Sequence, residues 1–198
     1  MLDLDYRAQR PALVRRPQKG QPQMARHPRI YYAASLFNEA ERKFNRKVVG
    51  MLHDLGYSTW FPQEDAGLLI DYVEKDGMTI EEARQHIFDL NTREIEACDL
   101  VVVCLDGRVP DEGACIEAGI AWGMNKRIIA LRTDFRNGEP GGNNLMIDGI
   151  AAEVADSVDQ LRQILDPNNI IVDLTGPDPI VQFRHLDDAA AESPTESV

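Results

Sequence analysis

The sequence is poor in the residues that would staple it or load it with metal. Its 198 positions hold three cysteines and four histidines. Cys98, Cys104 and Cys115 are odd in number, show no metal-type spacing and sit in apolar surroundings. We read them as reduced core thiols of a cytoplasmic protein. His27, His53, His86 and His185 are scattered singly, so neither a zinc site nor a Ser/His/Asp triad is suggested. No run approaches the roughly 20 apolar residues of a membrane span. Basic residues are also scarce, 21 against 33 acidic, for a formal net charge of -12. Such a chain repels phosphate backbones, which argues against a nucleic acid polymer as partner. A small ligand in a local pocket is compatible with that charge.

What is present has the balance of a globular protein, with 43% hydrophobic and 27% charged residues. The length suits one well-cored domain and is short for two. Residues 1–28 are basic and rich in Pro and Gln, without the continuous apolar core of a signal peptide. They are expected to form a flexible extension. Residues 184–198 are acidic, small and polar, and are expected to be a disordered tail. The single domain is expected to span residues 29–175.

Within that span short apolar runs alternate with helical periodicity. A β-type run over 29–34 precedes a helix over 38–55, whose Phe44, Val48, Met51, Leu52 and Leu55 recur at helical spacing and which Gly56 closes. A second short strand over 57–61 stops at Pro62, and the acidic loop 63–78 has room for a helical turn. The sequence from Thr79 to Glu82 reads as a capping box opening a helix to about Ala97. The run LVVVCL over 100–105 reads as a strand covered on both faces. A helix over 110–123, a strand over 127–131, a helix over 154–165 and a last strand over 170–174 follow. This alternation predicts a doubly wound, flavodoxin-like parallel sheet of about five strands in a three-layer αβα sandwich. Ligands of such sheets sit beyond the carboxyl ends of the strands, which points to residues 33–37, 62–65, 106–111 and 132–144.

The stretch PDEGACIEAGIAWG, residues 110–123, holds one acid inside a small and apolar helix. Asp111 suits an N-cap and Glu112 the first turn of the helix dipole. Glu117 lies past that turn, and its helical neighbours Gly113, Ala114, Ile120 and Ala121 include no base. It is either solvent-exposed by chance or held in a low-polarity pocket with perturbed acidity. The surrounding Gly and Ala residues suit tight packing on a sheet, close approach of a ligand, or both.

The ordered motifs resemble the nucleoside 2-deoxyribosyltransferase family. They are Ile30-Tyr31-Tyr32-Ala33 with Leu36-Phe37, then Asn91, Ile95 and Asp99, then Leu105-Asp106-Gly107. Asp111, Gly113 and Glu117 follow, then the Lys126-Arg127-Ile128-Ile129 strand, Asp134 with Arg136, and Asn144-Leu145-Met146. The match runs in order over roughly residues 29 to 166.

The resemblance implies transfer of 2-deoxyribose between nucleobases, with Glu117 as nucleophile and a covalent intermediate returning the original anomeric configuration. It implies that Tyr31 orients Glu117 by a hydroxyl hydrogen bond, and that Asp111 binds a sugar hydroxyl. Asn144 would supply a hydroxyl contact, in this family often from a neighbouring subunit, so a homo-oligomer is expected. Gly107 and Met146 complete the expected substrate-binding set with Asn91, Gln63 and Asp65 on the base side. Some members place Asp where this chain has Asn91. An amide reads a base edge by donating and accepting but does not deliver a proton, which leaves Asp65 or Asp89 as the alternative source. The partners implied are 2'-deoxynucleosides and free nucleobases; no cofactor or metal is called for.

Two rival readings share the scaffold. A hydrolase of 2'-deoxynucleoside 5'-monophosphates would use the same Glu117 with water and want a phosphate cradle, for which the first loop, Ala33-Ala34-Ser35, offers only Ser35. A non-catalytic nucleotide-binding module would be marked by loss of the nucleophile, whereas Glu117 and Asp111 stand in register. The Gly-Gly at 141–142 precedes no helix signature and reads as a turn.

Overall fold

The computed structural model describes residues 28–134, 144–173 and 180–183. The basic extension before residue 28, the acidic tail from 184, and Arg136 with the Gly-Gly at 141–142 lie outside the described residues.

Strand β1 (Arg29–Ala33) leads into helix α1 (Glu39–Asp54). Asn38 starts that helix with a reciprocal box: its side chain accepts from the Glu41 amide at 3.0 Å, and Glu41 accepts from the Asn38 amide at 3.1 Å. Gly56 ends it at φ +89°, the left-handed geometry in which a Cβ is penalised. Strand β2 (Ser58–Trp60) follows. The acidic segment after it carries two short helices, α2 (Pro62–Asp65), with Pro62 in its first turn, and α3 (Leu69–Glu74). Thr79 caps α4 (Ile80–Ala97) through the predicted box with Glu82. Then come β3 (Leu100–Cys104), α5 (Glu112–Gly123), β4 (Arg127–Leu131), α6 (Leu145–Asp148), β5 (Glu153–Ala155), α7 (Val158–Ile164), and β6 (Ile170–Asp173) with β7 (Ile180–Phe183).

Five strands form one parallel sheet in the order β2-β1-β3-β4-β5. That is the flavodoxin-like doubly wound order, which reverses between β1 and β3. The fifth strand is not the expected one. The run over 170–173 pairs antiparallel with β7 in a separate two-stranded sheet, and residues 153–155 take the edge position beside β4. The helix expected over 154–165 therefore starts later. Ser157 caps it, accepting from the Gln160 amide at 3.1 Å, and Val154 shares the helical period of Val158 and Leu161 by coincidence.

Alternation along the strands divides the core. Ile30, Tyr32, Leu100, Val102, Ile129 and Leu131 face α1 and α7. Tyr31, Ala33, Val101, Val103, Ile128 and Ala130 face the layer formed by α4 and α5. All five residues of β3 are buried, as its near-continuous aliphatic run requires of a strand with neighbours on both edges and helices on both faces. Cys98 and Cys104 lie in this core, and Cys115 is half-buried on α5.

Candidate active site

Register places Tyr31 near the centre of the sheet, paired with Trp60 of β2 on one side and Val101 of β3 on the other. Its ring points to the α5 face. There the buried residues of α5 are Ala114, Ala118 and Ala121, small enough for the helix to lie close on the strands. Glu117 falls on this inner side, three residues after Ala114 and four before Ala121. The Tyr31 hydroxyl donates to Glu117 Oε1 at 2.8 Å. The acid that the sequence leaves between exposure and burial is thus half-buried.

Burial pushes the Glu117 carboxyl up to about 7, and the nearby Asp111 carboxylate adds to the rise. The Tyr31 hydrogen bond works against both, because a donor to the charged form stabilises it. Tyr31 itself is driven far above the usual tyrosine range by burial first and the adjacent carboxylate second. It stays protonated and remains a permanent donor. The pair therefore offers a carboxylate poised near neutrality, with one oxygen fixed by a phenol.

Asp111 caps α5, its Oδ2 accepting from the Ala114 amide at 2.9 Å. A Cβ added at Gly113 would stand 3.1 Å from that oxygen, so a larger residue there would have to displace the cap by a few tenths of an ångström. Gly107 turns at φ +122°, where a Cβ would meet the Val109 carbonyl at 3.1 Å; side-chain-bearing residues are strained there on both counts. Asp106, within the Leu105-Asp106-Gly107 motif, ties the β3 end to the β4 end. It accepts from the Thr133 amide at 2.5 Å, the Asp134 amide at 2.9 Å and the Thr133 hydroxyl.

The base-side candidates divide. Asn91, half-buried on α4, accepts from Trp60 Nε1 at 3.4 Å, and Trp60 is the register partner of Tyr31. These three residues and Glu117 share the α4–α5 face. Gln63, in the first turn of α2, accepts from buried Asn45 at 3.1 Å. Asp65 is exposed and closes its own turn, accepting from the Phe61 amide at 2.6 Å. Asp89 accepts from Gln85 at 2.9 Å and lines a groove with Gly77, Met78, Glu82 and His86 on the α3–α4 side. Asn144 caps α6 through the Met146 amide at 2.9 Å. It is exposed, as is Met146 at 75%, and among the described residues no hydrogen bond joins either to Tyr31 or Glu117.

The sequence motifs point to no role for Asn45 or Trp60. Asn45 carried a signal: it is a polar residue on the stripe of α1 that also holds Val48, Val49 and Leu52, and it is 2% exposed. Among the described residues no group of three or more His, Cys, Asp or Glu is placed to hold a metal ion, and no helix is long and apolar enough to cross a membrane.

The fold is an open parallel α/β domain with a part-buried carboxylate–phenol pair beside its switch point. The family model for nucleoside 2-deoxyribosyltransferase matches residues 30–174, and the chain belongs to that enzyme family. A 2-deoxyribosyltransferase from Bacillus psychrosaccharolyticus is 25% identical, with a TM-score of 0.57 over 68% of this chain and 90% of that one. A conserved protein from Enterococcus faecalis V583 is also 25% identical, with a TM-score of 0.60 over 72% of this chain and 99% of that one. No curated protein matches the chain.

Proposed function

We propose that the protein transfers 2-deoxyribose between the nucleobases of 2'-deoxynucleosides through a covalent deoxyribosyl–Glu117 intermediate, with retention of configuration. The observation that carries this reading is the part-buried 2.8 Å bond from Tyr31 to Glu117 Oε1 beside the β1–β3 switch. Oε1 is held by the phenol, which leaves Oε2 for the anomeric carbon. As the C1'–N bond breaks, its electron pair leaves with the base and an oxocarbenium-like centre develops. The carboxylate stabilises that charge and then bonds to it. A second base attacks C1' from the face the first one left, and the ester bond to Glu117 breaks with its electrons returning to the carboxylate. Two inversions give net retention.

Burial favours this use of Glu117. A carboxylate with little water around it surrenders less solvation when it forms a bond. Asp111 spends Oδ2 on the helix cap and keeps Oδ1 for a sugar hydroxyl. Asn91, beside Trp60, serves the base, and Asn144 serves a hydroxyl across a homo-oligomer contact. Deoxynucleoside salvage in a reducing cytoplasm is the setting that fits these assignments.

Incubation with 2'-deoxyinosine and adenine tests the reaction. The expected products are 2'-deoxyadenosine and hypoxanthine. Free deoxyribose with hypoxanthine and no new nucleoside would replace transfer by hydrolysis. No consumption of either 2'-deoxynucleosides or their monophosphates would point to a binding module.

A further inference from the structure

We infer that Asn45 is a positioning residue that turns the Gln63 carboxamide so that its NH2 group is presented to the bound nucleobase. The inference rests on the deoxynucleoside reading above. Asn45 makes three hydrogen bonds from inside the core. Its Oδ1 accepts from the Tyr32 hydroxyl at 3.3 Å, and its Nδ2 donates to the Ser35 carbonyl at 2.8 Å and to Gln63 Oε1 at 3.1 Å. A main-chain carbonyl only accepts, so the atom facing Ser35 has to be the amide nitrogen. That nitrogen in turn needs an acceptor on Gln63, which fixes Oε1 toward Asn45 and Nε2 away from it. The backbone of the β1–α1 loop thus sets the orientation of a side chain on α2.

Gln63 Nε2 is the end left over. It is buried, and no group of the protein accepts from it. A buried donor without a partner costs about 1–3 kcal/mol, and native proteins keep few of them. Ser35 follows the carboxyl end of β1 and Gln63 that of β2, the side of the sheet where doubly wound folds receive ligands. An acceptor on the base, a carbonyl oxygen or an unprotonated ring nitrogen, satisfies the donor when substrate is bound. The residue sensed is a base acceptor, and Asn45 determines that it is an acceptor and not a donor.

The test measures binding of intact 2'-deoxyinosine by calorimetry in a Glu117→Gln background, so that turnover plays no part. Gln63→Leu and Asn45→Ala are each expected to weaken binding about tenfold, the loss of one buried hydrogen bond. If Asn45→Ala fails to fold, Asn45→Leu, close in volume, carries the same expectation, because it no longer holds Oε1 and frees the Gln63 carboxamide to turn. Combining the Asn45 substitution with Gln63→Leu should give binding no weaker than Gln63→Leu alone, a non-additivity that general structural damage does not produce. Unchanged affinity in the Asn45 variants, or losses that simply add, would overturn the inference; a water satisfying Nε2 predicts that outcome. Absence of deoxyinosine binding in the Glu117→Gln parent, with no turnover by the unaltered protein, would instead overturn the functional reading beneath it.

Discussion

Tyr31 and Glu117 are 86 positions apart in the chain, yet the phenol of one donates to the carboxylate of the other at 2.8 Å. Their meeting follows from topology. The parallel β1–β3 pairing sets Tyr31 beside Val101, and the crossover after β3 lays α5 over that face of the sheet. The hydrogen bond holds one carboxylate oxygen and favours the ionised form of a group that burial disfavours.

Removing the phenol therefore has a signed consequence. Tyr31→Phe deletes the influence that lowers the Glu117 pKa, so the acid limb of the rate profile should move to higher pH. A hydrogen bond to a charged group is worth about 1.5–3 kcal/mol, which corresponds to a loss of roughly tenfold to a hundredfold in kcat/KM. Steady-state transfer assays across pH check both effects.

In the unaltered protein the nucleophile has to be ionised. With Glu117 at about 7, kcat/KM should climb as pH rises from 5 to 8 and level off above it, reporting the free enzyme. A profile flat across that range would separate Glu117 ionisation from the rate.

The same shift bears on stability, with opposite benefit. An acid whose folded-state pKa is raised from 4.5 to about 7 binds its proton more tightly in the folded state. Stability is therefore lost as pH rises between those values, and the full cost remains above 7. Glu117→Gln has no such titration. It should be more stable than the unaltered protein by about 2 kcal/mol at pH 8, with the difference shrinking toward pH 4.5. Urea unfolding at the two pH values measures it. Activity at this position thus opposes stability.

Asp106 gives a structural prediction separate from the chemistry. Asp106→Ala leaves the Thr133 and Asp134 amides without their acceptor, which should destabilise the fold by about 2 kcal/mol. Thermal unfolding checks this against Asp106→Asn, which keeps an acceptor and should lose less.

Much of this was legible in the chain. Continuous aliphatic runs separated by capped helices point to the parallel sheet, and Asn38, Thr79, Asp111 and Gly56 mark helix ends where the structure has them. The fifth strand was not legible. Glu153–Ala155 is three residues long and borrows its place from pairing with β4, while the longer run from Ile170 pairs elsewhere. A short edge strand carries almost no local signal against a helical period that continues through it.

The site divides in the same way. Glu117 was noticeable as one acid in an apolar helix, but its depth depends on where α5 sits on the sheet. Asp65 looks alike in sequence whether it reads a base or closes its own turn, and the geometry has it accepting from Phe61. Asn45 and Asp106 act through tertiary hydrogen bonds to residues 18 and 27 positions away, a separation that local pattern does not register.

Mass spectrometry of the protein quenched during reaction with 2'-deoxyinosine, without an acceptor base, tests the central claim most directly. The account predicts a fraction of the chain heavier by one deoxyribosyl group, the adduct mapping to the peptide that contains Glu117 and missing from Glu117→Gln. Full turnover by Glu117→Gln, or an adduct carried on a different residue, would contradict it.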